Sequence, residues 1–106
     1  MSTLDTIVAQ AVEKYKNVWP GYSYSLIDAC QKHYAVLTFP ENRAKVPGGV
    51  AIIVAARVAG EQIIIDEDTT DRPLVKALVE AGIPRDRIIL AYRDEPLPEG
   101  YGRDTW

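Results

Sequence analysis

The chain has 106 residues, a length that suits one domain with a single hydrophobic core. Its 47% hydrophobic and 25% charged content is ordinary globular usage, and its net charge of −3 argues against the broad cationic surface that non-specific nucleic-acid binding needs. Cys30 stands alone, so no internal disulfide can form; no basic-then-apolar leader opens the chain, residues 50–56 are too short an apolar run for a bilayer, and a cytoplasmic location without membrane contact is expected.

Leu4, Ile7, Val8, Ala11, Val12 and Tyr15 repeat at the three-to-four spacing of one helix face. Ser2 and Asp5 are spaced as in a capping box, and Pro20-Gly21 would stop the helix. YSYSLID (residues 22–28) and HYAVLTF (residues 33–39) read as strands joined by the polar loop ACQK. PENRAKVPGG (residues 40–49) reads as a loop on its Pro, Gly and charge content. VAIIVAARVA (residues 50–59) reads as the most buried strand. The short Gly60-Glu61 turn then returns the chain as QIIID (residues 62–66) in an antiparallel hairpin.

A second helix follows. Thr69 or Thr70 can cap it, Pro73 suits its first turn, and Asp71 complements its dipole. Leu74, Val75, Leu78 and Val79 form its apolar stripe. AGIP ends it: Gly82 supplies the left-handed residue, Ile83 packs back and Pro84 forbids continuation. RIILAY (residues 87–92) is the final strand, parallel to QIIID through the helical crossover. The order α-β-β-β-β-α-β describes one α+β domain over residues 1–106, with a mainly antiparallel sheet and helices packed on it. Residues 94–106, DEPLPEGYGRDTW, read as an extended C-terminal arm, because two prolines and two glycines oppose a helix or central strand. Leu97, Tyr101 and Trp106 give that arm large apolar groups. The expectation is a homodimer in which the arm contributes to the contact, aided by the shallow side of the central strand at Ala51 and Ala55.

Asp66, Glu67, Asp68 and Asp71 fall within six positions. A calcium loop starting at Asp66 needs Gly sixth and Glu twelfth, where Asp71 and Ala77 stand. A metal-dependent hydrolase or nuclease using Asp66, Asp68 and Asp71 is the enzyme alternative. The following strand, RIILAY, lacks the carboxylate and lysine that such nuclease sites carry. The cluster therefore reads as a solvated strand exit and helix cap. Cys30 and His33 are neighbours in a hairpin with no third group to orient them as nucleophile and base. Gly100-Tyr101-Gly102 does not link a strand to a helix, so it is no dinucleotide fingerprint. Arg85, Arg87 and Arg93 read as a solvated face. No catalytic, metal or cofactor-binding set is expected.

DTTDRPLVKALVEAGIPRDRIILAY, led by Asp68, Thr70 and Asp71 and passing through Leu78, Val79, Ala81, Gly82, Ile83, Pro84, Ile88 and Leu90, resembles the strand–turn–helix–strand segment of the XisI-like family. That family is named for a factor controlling excision of an interrupting DNA element. HYAV at residues 33–36, the first helix ending near a Tyr, and Pro96 after the last strand extend the resemblance over nearly the whole chain. Ala55 and Arg57 stand where the family's central strand holds His and Asp. PENRAKVPGG, GEQ and Tyr92-Arg93 also depart from its pattern. The resemblance implies an accessory or regulatory protein without enzymatic activity, acting through protein contact. A XisH-like, nuclease-fold partner is expected from it, and direct nucleic-acid binding is not.

Overall fold

A computed structural model of the chain describes residues 3–16, 22–28, 32–39 and 51–98. Helix α1 (Thr3–Glu13) places Val8, Ala11 and Val12 in the core, and Tyr15 follows them from the turn just beyond. The helix ends at Glu13, before Pro20, which lies outside the described residues, as does Ser2 of the expected capping box. Asp5 is buried and accepts a 2.6 Å hydrogen bond from the Tyr34 hydroxyl. Burial, with the Asp5 hydrogen bond and charge second, pushes the Tyr34 pKa up, so the hydroxyl stays a donor.

Strands β1 (Tyr22–Asp28), β2 (His33–Phe39), β3 (Ala51–Ala59), β4 (Gln62–Asp68) and β5 (Ile88–Leu90) form one sheet in the order β1-β2-β3-β4-β5. The first four are antiparallel neighbours, and β5 runs parallel to β4. The fold is α+β, with the parallel pair made by the crossover through α2 (Leu74–Glu80). At the β3–β4 turn the positive φ falls on Gly60, first of the two loop residues, where a II′ hairpin requires it.

Both helices cover the front of the sheet, where Val36, Val54, Ala56, Ile63 and Ile65 meet Val8, Val12, Leu74 and Leu78. Each fully buried aliphatic side chain contributes roughly 1.5–3 kcal/mol of transfer free energy. The back carries a smaller cluster of Ala59, Ile64 and Ala91, with Ile89 and Leu97 packed on it.

Two bulges decide which residue faces which side. Ile53 is extra on β3 between partners of Val36 and Leu37, so Ile53 and Val54 are both buried while Ile52 is exposed. Asp66 is extra on β4, because Ala55 pairs with Glu67 and Ala56 with Ile65. Plain alternation would place Ile64, Asp66 and Asp68 on one face. The bulge instead leaves Asp66 beside Arg57 on the back and pairs Asp68 with the core residue Val54.

The structure corrects four details of the sequence reading. Asp66, Glu67 and Asp68 are not in a wet turn, since β4 runs on through Asp68 and each is partly buried, while Asp71 is exposed in the turn beyond. Val79 is 42% exposed and leaves the α2 stripe to Leu74 and Leu78, with Val75 partly buried. A seven-residue helix has room for one narrow apolar line against the sheet. Pro73 takes the N-cap position, with Leu74 as the first helical residue. The last strand is three residues, because Ala91–Arg93 turns into a 3-10 helix that ends on Asp94 at φ 64.

Candidate interaction surface

The acidic stretch resolves into separate structural duties. Arg57 Nε and Nη2 donate to the two carboxylate oxygens of Asp66 at 2.7 and 2.8 Å, a bidentate pair bridging β3 and β4. Asp68 faces the other way. Its Oδ2 accepts the Leu74 N–H at 2.6 Å, and its Oδ1 accepts the Thr70 N–H at 2.9 Å. Thr70 Oγ1 lies 2.7 Å from Asp68 Oδ1 and 2.8 Å from the Arg72 carbonyl, and its one proton can serve either. Thr69 ties the turn to β3 by donating its N–H and its hydroxyl to the Ile53 carbonyl, each at 3.0 Å. The expected cap on Thr69 or Thr70 is therefore made by Asp68, six residues before the N–H it accepts. A rigid strand end at the helix start can do what a local cap does.

Asp71 is exposed. Asp66 and Asp68 lie on opposite sides of the sheet, so the three carboxylates of the enzyme alternative do not converge. Among the described residues no three His, Cys, Asp or Glu side chains gather as a metal site. The Tyr15 hydroxyl donates to the Arg72 carbonyl, and burial followed by the Asp68 charge raises its pKa. Its polar atom thus holds the helix approach, in a depression of about 340 Å³ between α1 and α2.

At the far end of α2, Gly82 has φ 104. Its N–H donates to the Val79 carbonyl at 3.0 Å, and the Ile83 N–H reaches back to the Leu78 carbonyl at 3.1 Å. That is the paired bonding of a Schellman stop, with Ile83 buried and Pro84 directly after.

An open surface lies on the back of the sheet near β1. Leu26 and Ile52 are 54% and 47% exposed, and with Ala35 and Ala55 they line a groove of about 590 Å³. Asp28, His33, Arg57 and Glu67 also line it. Of the four exposed large hydrophobic residues among those described, Leu26 and Ile52 belong to this groove, and Ile27 lies at its rim on β1. Ala55 and Arg57 sit here, with His33 paired to Arg57.

Leu97 is partly buried against Ala59, Ile64 and Ala91 of its own back face. Tyr101 and Trp106 lie outside the described residues, as do Cys30 and Gly100 to Gly102. Arg85 does not stand in a loose basic face. It donates to the Ile88 carbonyl at 2.7 Å and pairs with Glu95 at 3.2 Å. Arg87 and Arg93 are exposed. Sequence reasoning missed the Arg57–Asp66 and Arg85–Glu95 pairs. A lone Arg inside the apolar run VAIIVAARVA was the available signal for the first.

No helix among the described residues is long and apolar enough to cross a membrane. None of the curated proteins matches the chain. The crystal structure of the fdxN element excision controlling factor XisI from Anabaena variabilis is similar at 25% identity and TM-score 0.68, over 93% of this chain and 95% of that one. A XisI-like protein from the same organism shares the fold at 16% identity and TM-score 0.61, over 82% and 78% of the two chains. The family model described as XisI protein matches residues 1–99, and the chain belongs to the XisI family.

Proposed function

We propose that the chain is a regulatory accessory protein in DNA-element excision that acts by protein contact rather than by catalysis. The observation that carries this reading is the exposed apolar groove at Leu26, Ala35, Ile52 and Ala55, on a molecule whose Asp66 and Asp68 carboxylates are tied into structure. An exposed apolar patch rimmed by polar residues fits a contact site, and Asp28, His33, Arg57 and Glu67 rim this one. The Anabaena variabilis XisI is named an element excision controlling factor, which supports a controlling role here. The reading includes a XisH-like nuclease-fold partner, a cytoplasmic location, no cofactor, and self-association.

Purified chain and purified XisH-like protein from the same host are mixed and resolved by size-exclusion chromatography with light scattering. The expected result is a joint species that Ile52→Glu abolishes at unchanged melting temperature. Separate elution of the wild-type pair overturns the reading. Calorimetric titration with magnesium or manganese is expected to give no saturable binding, and saturable binding lost in Asp68→Ala would restore the hydrolase alternative.

A further inference from the structure

The sheet has two edges. At the β5 edge, every backbone polar group of Ile88 and Leu90 that faces outward has a partner. The Ile88 N–H donates to the Arg85 carbonyl, and the Ile88 carbonyl accepts from Arg85 Nη1 at 2.7 Å. The Leu90 N–H donates to Glu95 Oε1 at 2.8 Å, and the Leu90 carbonyl accepts the Glu95 N–H at 3.2 Å. At the other edge, β1 is seven residues long and pairs with β2 without a register shift. Among the described residues no strand lies on its outer side. It holds no proline, no lysine and no bulge, the devices that ordinarily guard a sheet edge.

The side chains of this edge say what kind of partner fits. Leu26 and Ile27 are adjacent, so they point to opposite faces, and both are exposed. A helix or loop laid on one face would cover only one of them, whereas a strand added at the edge brings neighbours to both. The charges favour a second copy of the same strand. Asp28 is the only charged residue in β1 and sits at its end. Antiparallel pairing of two β1 strands about their middle residue, Ser25, sets position 28 of each copy against the uncharged position 22 of the other. The two carboxylates are then six residues apart along the strands, roughly 20 Å. The strand is thus complementary to its own two-fold copy, as an isologous interface requires.

We propose that β1 pairs with β1 of a second copy, antiparallel about Ser25, joining two five-stranded sheets into one of ten strands. This rests on the reading that the chain works through contact, and it names the contact by which it self-associates.

The test uses the full chain. Sedimentation of the wild type is expected to give twice the 11.8 kDa chain mass. The double variant Leu26→Lys/Ile27→Lys is expected to sediment as a monomer with an unchanged circular dichroism spectrum. A second measurement does not depend on that variant folding. In a Cys30→Ser background, Ser25→Cys is expected to form an intermolecular disulfide on mild oxidation, since residues directly opposite have Cβ atoms about 5 Å apart. Asp28→Cys in the same background is expected to stay uncrosslinked. A monomeric wild type, a dimer indifferent to both lysines, or crosslinking at position 28 but not at 25 overturns the proposal. So does a dimer lost only when the chain is ended at Pro98, which would place the contact on the arm. A monomer that still binds the XisH-like protein overturns β1 pairing alone and leaves the contact function standing.

Discussion

The two edges of this sheet differ in composition and in finish: β5 is IIL and β1 is YSYSLID. The β5 strand is three residues long and its outward groups are met by Arg85 and Glu95, one from each side of it in sequence. The β1 strand is more than twice that length and carries exposed Leu26 and Ile27, with no such guard among the described residues. A sheet that leaves both edges open can grow into a chain of molecules. One that closes a single edge stops at a pair. The difference therefore matters more for assembly than for stability, and each edge can be altered without touching the other.

The largest change is expected at the base of the crossover that delivers β5. Asp68→Ala removes the acceptor for the Leu74 and Thr70 N–H groups and should lower stability by about 2 kcal/mol. Urea unfolding should show a lower midpoint at unchanged slope, and dimerisation through β1 should persist in the folded fraction. A changed association state at equal stability would tie Asp68 to an interface instead.

At the other end of the crossover, Gly82→Val should cost about 1–2 kcal/mol, because an L side chain at positive φ is strained. No atom lies within 4 Å of a Cβ built there, so the cost is conformational rather than steric crowding. Gly82→Ala should recover part of it. Equal melting temperatures for wild type and Val variant would mean that the helix stop relaxes elsewhere.

Opening the guarded edge gives a smaller effect on stability and a larger one on assembly. Glu95→Ala leaves the Leu90 N–H unpaired at the β5 edge. The expected outcome is a small drop in melting temperature with species larger than a dimer at high concentration, measured by light scattering. Combining it with Leu26→Lys/Ile27→Lys should cap association at the dimer, now through β5.

The smallest effect is a pH dependence. The Leu90 N–H, with Arg85 after it, holds the Glu95 carboxyl below its ordinary 4.5. A pKa lowered in the folded state stabilises the protein above 4.5, and that contribution is lost as pH falls through the folded value. Denaturation midpoints of wild type and Glu95→Gln should therefore draw together as the solution is acidified below 4.5. A gap that is constant with pH would assign the edge bond to the carboxylate's shape rather than its charge.

Much of the fold was legible because its signals are local. Gly82 followed by Ile83-Pro84 marks a helix stop wherever it occurs. Gly60-Glu61 between apolar runs marks a hairpin, and the helix after QIIID makes the next strand parallel. The candidate surface was less legible. The sequence reading looked for contact in the arm, of which Tyr101 and Trp106 lie outside the described residues and Leu97 packs on its own sheet, while three of the four exposed large hydrophobic residues among those described are on β1 and β3.

By itself the sequence determined the element order and the helix stop at Gly82 to Pro84, since these follow from backbone preferences and spacing along the chain. The tertiary structure decided which way the side chains face. One extra residue at Asp66 turns Asp68 to the start of α2 while Asp66 stays beside Arg57 on the back, and another at Ile53 leaves Ile52 in the open groove. A strand's side chains alternate with a period of two, so a single bulge reverses every assignment beyond it. Where a bulge falls depends on the neighbouring strand, and that information is in the pairing rather than in either segment alone.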